Sequence, residues 1–387
     1  MFNTKLHLVN GADDPRTYDG TSIATPAWSG SGLTVADLDG VTSYAERLIF
    51  WDTATQDFWY GGVQSVSGTL TKFPMSMLGK FGGNIVAISP WARVSGDDTQ
   101  EVLCIVMSSG EVMIYYGTDP GVAANWTKVS IPKIGSPLNI RGVLKYADDL
   151  FILTRDDWTS LRTIAATGGE RKKGISKISG AAQTAALAYA SNFGWAVTHH
   201  PADNIIVVNV PVSATRFDQH VLNTTTKAWC RFTGMNGRCW ATYNDELYFG
   251  GGGGKVYKYT GTNDAGENIA ADGKQAWGHW GVAQPKLVTL VRPVVSAQGT
   301  LALTFGLGFD FKDVQVEQTT SSAASGPLWD VALWDVNQWA PEATPRTDWY
   351  DAAGEGTDIS FRLRYAGKGQ DVAWMRTDFR YIPEAGL

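Results

Sequence analysis

The sequence has few cysteines, no long hydrophobic run and almost no helical periodicity. Its three cysteines, Cys104, Cys230 and Cys239, are too few for a disulfide framework and show no CxxC or Cys/His ligand spacing. No apolar stretch reaches the roughly 18 residues of a membrane-spanning helix, so no membrane insertion is expected. The first ten residues also lack the apolar core of a secretory signal. These absences argue against zinc or iron–sulfur chemistry, and we predict no metal site and no cofactor.

Common catalytic motifs are missing as well. The sequence contains no nucleophile elbow, Walker A loop, Rossmann fingerprint or HExxH. The glycine run Gly250–Gly254 lacks a Gly-Lys-Ser/Thr ending and opens a strand, which favours a β-turn over a phosphate loop. His199 and His200 are adjacent, and adjacent strand residues point to opposite faces, so they are not expected to share a metal. No enzymatic activity is predicted.

Paired carboxylates recur along the chain. The pairs are Asp13–Asp14, Asp97–Asp98, Asp148–Asp149 and Asp156–Asp157. A propeller glycosidase would need two carboxylates about 5–10 Å apart, and this stays an alternative. The pairs lie beside turn residues, where aspartate accepts hydrogen bonds from the backbone, and turn formation is therefore the favoured interpretation.

Charged residues make up only 18% of the chain, and the net charge is −6. This balance argues against a general nucleic-acid binder, which would normally be basic. One basic cluster departs from it, formed by Arg171, Lys172, Lys173 and Lys177. Either this cluster is a solvated loop or it faces a polyanion such as DNA, which it would contact through the phosphates.

Glycine and tryptophan are abundant. The chain has 43 glycines and 16 tryptophans among its 387 residues, and the glycine content of about 11% exceeds the usual 7%. Short β-branched and aromatic runs alternate with turn residues, which indicates an all-β protein. One helix is predicted over the alanine-rich segment Gly180–Tyr189, inside an insertion near residues 170–191.

A loose repeat of strand pairs runs through the first two thirds of the chain. Its six units begin at Lys5, Arg47, Glu101, Asp149, Asn204 and Glu246. The roughly 40–55 residues between units match one four-stranded propeller blade. We therefore predict a β-propeller-like domain of five to six blades over residues 1–261. A series of β-sandwiches is the competing interpretation.

The pattern changes after Gly261 to longer strands. In Ile359–Tyr365, apolar residues alternate with Arg362 and Arg364, as in a strand with one solvated face. The segment Gln318–Gly326 is predicted to be a linker. Residues 262–387 are therefore expected to form a β-sandwich-type domain.

Three tryptophans, Trp329, Trp334 and Trp339, follow one another at five-residue spacing. Because an odd spacing alternates between the faces of a strand, these indoles do not line up as one sugar-stacking platform. Aromatic side chains dominate the energetics of interfaces, so a subunit or domain interface is the favoured interpretation.

Several long ordered strings carry a resemblance to a known family. They are Gly110–Pro120, Pro137–Arg141, Asp149–Thr154, Val221–Gly234 and Asn244–Gly251. Through them the chain resembles the nozzle or hub proteins, also called tubular or packaged-DNA-stabilising proteins, of short-tailed bacteriophages and prophages. The resemblance extends over most of the sequence.

The resemblance implies a structural virion protein, assembled in the host cytoplasm into a ring of six copies in the tail. Such a ring would lie below the portal and its adaptor, continue the channel for double-stranded DNA and carry fibre, spike or needle proteins. The four basic residues then become candidates for contact with DNA in the channel. The alternative function is a carbohydrate- or receptor-binding tail propeller, with Trp59, Trp91 and Trp158 as stacking residues.

Overall fold

The computed structural model describes residues 1–76, 78–95, 98–131, 133–155, 158–166, 187–281, 283–297, 301–312, 318–322 and 344–383. The regular structure in these ranges is almost entirely β-strand, as the sequence predicts. The chain divides into two compact units, unit 1 (Met1–Tyr259) and unit 2 (Thr260–Leu387). None of the helices in the described ranges is long and apolar enough to cross a membrane.

The described strands of unit 1 form six sheets of three to five strands each. The first sheet contains β1 Leu6–Leu8, β2 Arg16–Tyr18 and β3 Ile23–Ala24. The second contains β4 Trp28–Gly30, β5 Gly40–Tyr44, β6 Arg47–Trp51, β7 Phe58–Tyr60 and β8 Gly68–Phe73. The third contains β9 Ile85–Ser95, β10 Asp98–Met107, β11 Val112–Gly117 and β12 Trp126–Ile131.

The remaining three sheets of unit 1 follow in chain order. The fourth sheet contains β13 Val143–Tyr146, β14 Asp149–Leu153 and β15 Trp158–Ser160, after which the helix α1 spans Leu161–Ala166. The fifth contains β16 Ala196–His200, β17 Ile205–Pro211, β18 Phe217–Asn223 and β19 Trp229–Phe232. The sixth contains β20 Cys239–Tyr243, β21 Glu246–Gly250 and β22 Val256–Tyr259. Each predicted repeat unit falls in a different sheet.

Tight turns connect the strands of each sheet. Asn244 and Asp245 join β20 to β21 with φ angles of 51° and 60°. Two consecutive positive φ angles match the twist of a two-residue hairpin, and asparagine and aspartate tolerate them better than most residues. The glycine run ends in a short 3-10 turn, Gly252–Gly254, between β21 and β22. The β-turn interpretation of this run is confirmed.

Successive sheets pack face to face, and from the second sheet onward an edge strand of each sheet lies beside an edge strand of the next. β5 contacts β9, β9 contacts β13, β13 contacts β16, and β16 contacts β20. Small, mainly antiparallel sheets that follow one another through such edge strands are the blades of a propeller-like fold. The predicted propeller-like architecture is therefore confirmed, and unit 1 is not a series of sandwiches.

The junction between the second and third sheets illustrates how two such sheets join. Phe58 and Ile49 of one sheet share a buried core with Leu103 and Ile105 of the other. The Tyr44 hydroxyl donates a hydrogen bond across the junction to the Glu101 carbonyl over 3.1 Å. Burial raises the pKa of Tyr44 to about 12, because the protein interior disfavours a phenolate.

The predicted helix lies almost wholly outside the described residues. Of Gly180–Tyr189, the structure describes the last three residues, and the predicted insertion near 170–191 is described from residue 187 onward. The observed helix α1 lies earlier, directly after β15.

Unit 2 contains two four-stranded sheets in its described ranges. One has the order β23–β29–β25–β26, with β23 Ile269–Lys274, β25 Leu301–Phe309, β26 Gln318–Ser322 and β29 Ile359–Gly367. In the other, β24 Lys286–Ala297 pairs with β27 Thr344–Arg346, β28 Tyr350–Gly356 and β30 Val372–Pro383. Both sheets contribute to one buried core, which includes Val291 and Val295 of β24 and Phe305 and Phe361 of the first sheet.

The alternation predicted for Ile359–Tyr365 is confirmed. Phe361 is fully buried in the core between the sheets. On the opposite face, Arg362 and Arg364 both contact the carboxylate of Asp272 on β23. The predicted linker is wrong for its first five residues, because Gln318–Ser322 forms β26 beside β25. The backbone of Leu301–Phe305 offers an open edge there, and threonine suits a pleated strand.

We expect Phe361→Ala to weaken unit 2 far more than Arg364→Ala on the same strand. Removal of the buried ring leaves a cavity and costs about 3–5 kcal/mol, whereas an exposed ion pair contributes about 1 kcal/mol or less. Hydrogen-exchange mass spectrometry of β25 and β29 peptides measures both effects. Equal protection losses in the two variants would contradict the assigned faces.

Candidate functional site

Two groups of residues that the sequence singled out lie outside the described part of the chain. This holds for the basic cluster Arg171, Lys172, Lys173 and Lys177 and for the interface candidates Trp329, Trp334 and Trp339. Their roles stay predictions. A candidate site must therefore be sought among the residues that the structure describes.

The three tryptophans proposed as sugar-stacking residues are buried. Trp59 is 2% exposed, and Trp91 and Trp158 are each 3% exposed. The Trp91 indole donates a hydrogen bond to the Asp148 carbonyl over 2.9 Å, and Trp158 packs 5.5 Å from the ring of Phe151. The expectation that these indoles stack on a carbohydrate is wrong, because both ring faces already pack within the core.

The Asp148–Asp149 pair has the structural role expected of turn residues. The Asp149 carboxylate accepts the backbone N–H groups of Leu150 and Arg162 over 2.7 and 2.9 Å, and it also accepts the Ser160 hydroxyl. Asp148 forms an ion pair with the Arg162 side chain. Both carboxylates thus fix the end of β15 and the start of α1, and the turn interpretation is confirmed for this pair.

His199 and His200 lie on opposite faces of β16, as predicted. The His199 ring packs edge-on against Tyr146 at 4.8 Å, whereas His200 Nε2 lies 3.6 Å from the carboxylate of Asp203. Burial, and to a smaller extent the neighbouring His200, lowers the pKa of His199. Among the residues that the structure describes, no three His, Cys, Asp or Glu side chains are grouped to hold a metal ion.

The first sheet of unit 1 has one exposed apolar face, here called the first-sheet face. Leu6, Leu8, Tyr18 and Ile23 are 42, 43, 39 and 68% exposed. Strand pairing brings them together, because Leu6 is opposite Tyr18 and Tyr18 is opposite Ile23. Leu8 is opposite Arg16, which is the charged residue of this face.

The other face of the first sheet is covered. Thr17 on β2 is buried, and Phe2 and Val9, which flank β1, pack against the core of the second sheet. The first-sheet face therefore points away from the second sheet. Contiguous apolar patches on a protein surface often mark sites of interaction.

The sixth sheet also leaves one face open, here called the last-sheet face. Tyr243 and Val256 are 76 and 73% exposed, and the pairing register places them on the same side as Ala241 and Tyr248. Glu246 and Lys258 form an ion pair on this face. The opposite side of the sheet carries Leu247, which is buried against the fifth sheet.

Sequence reasoning missed both open faces. The alternation in Leu6-His7-Leu8 and the apolar residues Tyr18 and Ile23 were visible signals, but the partner of each sheet face could not be assigned. An apolar strand face in the sequence looks the same whether a neighbouring sheet covers it or not. The solvent exposure of the side chains in the folded unit distinguishes a covered sheet face from an open one.

Comparison with known proteins identifies no family. No family model and no curated protein matches the chain. Among solved structures, a candidate 6-phosphogluconolactonase from Bacteroides fragilis is similar at 9% identity and a TM-score of 0.40, over 66% of this chain and 80% of that one. An exported protein from the same organism has 9% identity and a TM-score of 0.38, over 64% and 77% of the two chains. At such scores neither likeness carries a functional argument.

We expect His199 to titrate below its ordinary pKa of about 6.5. Its folded pKa is lowered, so the unfolded chain takes up this proton first and the protein loses stability as the pH falls below about 6.5. Proton NMR of the histidine rings, with His199→Asn to assign the signal, measures the midpoint. A midpoint at or above 6.5 would show that burial does not control this ring.

Proposed function

We propose that the chain is a structural virion protein, a subunit of an oligomeric tail nozzle or hub, and not an enzyme. Copies of the chain form a ring that continues the DNA channel below the portal and its adaptor and that carries the distal fibre, spike or needle proteins. In this role the protein has to build a wall and a set of interfaces, and it needs no reactive group.

The observation that supports this proposal most directly is the pair of open sheet faces on unit 1, both of which expose apolar side chains. A wall subunit must bury surface against its neighbours, and exposed apolar sheet faces are the surfaces that gain most from such burial. The first-sheet face and the last-sheet face provide two of them on one chain.

The three tryptophans named for the carbohydrate-binding alternative are not accessible to a ligand. A sugar platform needs an exposed indole or phenol ring, and Trp59, Trp91 and Trp158 are all buried. The glycosidase alternative is also weakened, because the Asp148 and Asp149 carboxylates are occupied by Arg162 and by turn hydrogen bonds.

The charge of the chain suits a conduit for DNA. The net charge of −6 repels phosphate, so DNA passes without being held. The basic cluster Arg171–Lys177 is the exception. In a ring, one such cluster from each copy would make a belt of phosphate contacts in the channel.

We expect an antibody raised against the chain to label the tail end of purified virus particles in negative-stain images. The label should mark one position per particle, below the head, because the protein is confined to the tail. Preimmune serum on the same particles is the control. Particles that contain no copy of the chain by mass spectrometry would contradict the proposed role.

We also expect neutralisation of the basic cluster to weaken binding of duplex DNA to the assembled protein. Each lost phosphate contact reduces the steepness of the plot of log affinity against log salt concentration by about 0.9. Fluorescence anisotropy over a salt series measures this slope. The variant replaces Arg171, Lys172, Lys173 and Lys177 by alanine. The matched control replaces four exposed cations, namely Lys255, Lys312, Lys368 and Arg380. An equal slope in both variants would assign the cluster to a solvated loop.

A further inference from the structure

We infer that copies of the chain join head to tail, with the last-sheet face of one copy packed on the first-sheet face of the next. The inference rests on the proposed function and names the surfaces that hold its ring together. The occupant of each face is a second copy of this chain, which presents the other face.

The proposed contact continues the packing inside unit 1. The second sheet packs on the third, the third on the fourth, the fourth on the fifth and the fifth on the sixth, each through a buried apolar core. The same relation, continued by one step, would place a further sheet against the last-sheet face. The first sheet of another copy offers a three-stranded sheet with an open apolar side for this position.

The two faces differ from each other. The first-sheet face is mainly aliphatic, with Leu6, Leu8 and Ile23, whereas the last-sheet face presents two tyrosines, Tyr243 and Tyr248. A two-fold dimer needs one patch that is complementary to itself. Two different patches on one chain instead produce a head-to-tail contact, which repeats until the copies close into a ring.

The charges on the two faces are compatible. The first-sheet face carries the cation Arg16, which lies opposite Leu8. The last-sheet face carries the carboxylate of Glu246 together with Lys258. A contact between these faces therefore brings the Arg16 guanidinium to the Glu246 carboxylate, which already pairs with Lys258. Neither face carries a cluster of like charges that would repel the other face.

The experiment uses two single substitutions in the full chain. Ile23→Asp places a charge on the first-sheet face, and Tyr243→Asp places one on the last-sheet face. Because Ile23 and Tyr243 are 68 and 76% exposed, both variants should fold, and circular dichroism checks this. Val63→Asp, at a loop position that is 56% exposed, is the matched control. Light scattering after size-exclusion chromatography reports the mass of each sample.

We expect the wild type and Val63→Asp to form rings, and each of the other two variants to be monomeric. A buried unpaired carboxylate should raise the dissociation constant at the junction by roughly a hundredfold or more. The decisive sample is the equimolar mixture of Ile23→Asp and Tyr243→Asp. Each partner retains the face that the other has lost, so the mixture should give dimers with one copy of each variant and nothing larger.

Three outcomes would overturn the inference. Rings that survive both substitutions would show that other surfaces join the copies, and the proposed structural role would still stand. A dimer of either variant alone would indicate a two-fold contact. A mixture that stays monomeric, beside a monomeric wild type, would indicate that the two faces do not join copies. Absence of the chain from virus particles, measured separately, is the result that would instead refute the proposed function.

Discussion

Unit 1 depends on the fact that a small antiparallel sheet cannot bury either of its faces alone. Sheets of three to five strands have two faces and little interior, and an apolar sheet face is removed from water only when another element packs on it. Each sheet of unit 1 therefore becomes stable by packing against the next. The hydrophobic cores lie between sheets, as in the shared cluster of Phe58, Ile49 and Leu103.

The same constraint explains where the aromatic residues lie. Large flat rings fill the space between two twisted sheets with few side chains, and Trp59, Trp91 and Trp158 are buried in this way. Tryptophan content alone thus says little about binding in this protein. The high tryptophan content instead reflects the large internal surface between sheets, which a sugar or receptor cannot reach.

Unit 2 buries the apolar faces of its sheets in a different way. Its two sheets cover each other, so that Phe305 and Phe361 of one sheet meet Val291 and Val295 of the other. The outer face of β29 carries arginines paired with Asp272 and is suited to water. Unit 1 instead leaves apolar side chains exposed on its first and sixth sheets, and this difference is the basis of the proposed assembly.

The all-β class, the six repeat units and the solvated face of Ile359–Tyr365 were all predictable from the sequence, because turn residues and two-residue alternation are local features. The sequence could not determine that Trp91 is buried or that Gln318–Ser322 pairs with β25, since both depend on a partner distant in the chain. It also could not identify the open faces. Leu6 and Leu247 are both apolar strand residues, and only the tertiary structure decides that a neighbouring sheet covers Leu247 and leaves Leu6 exposed.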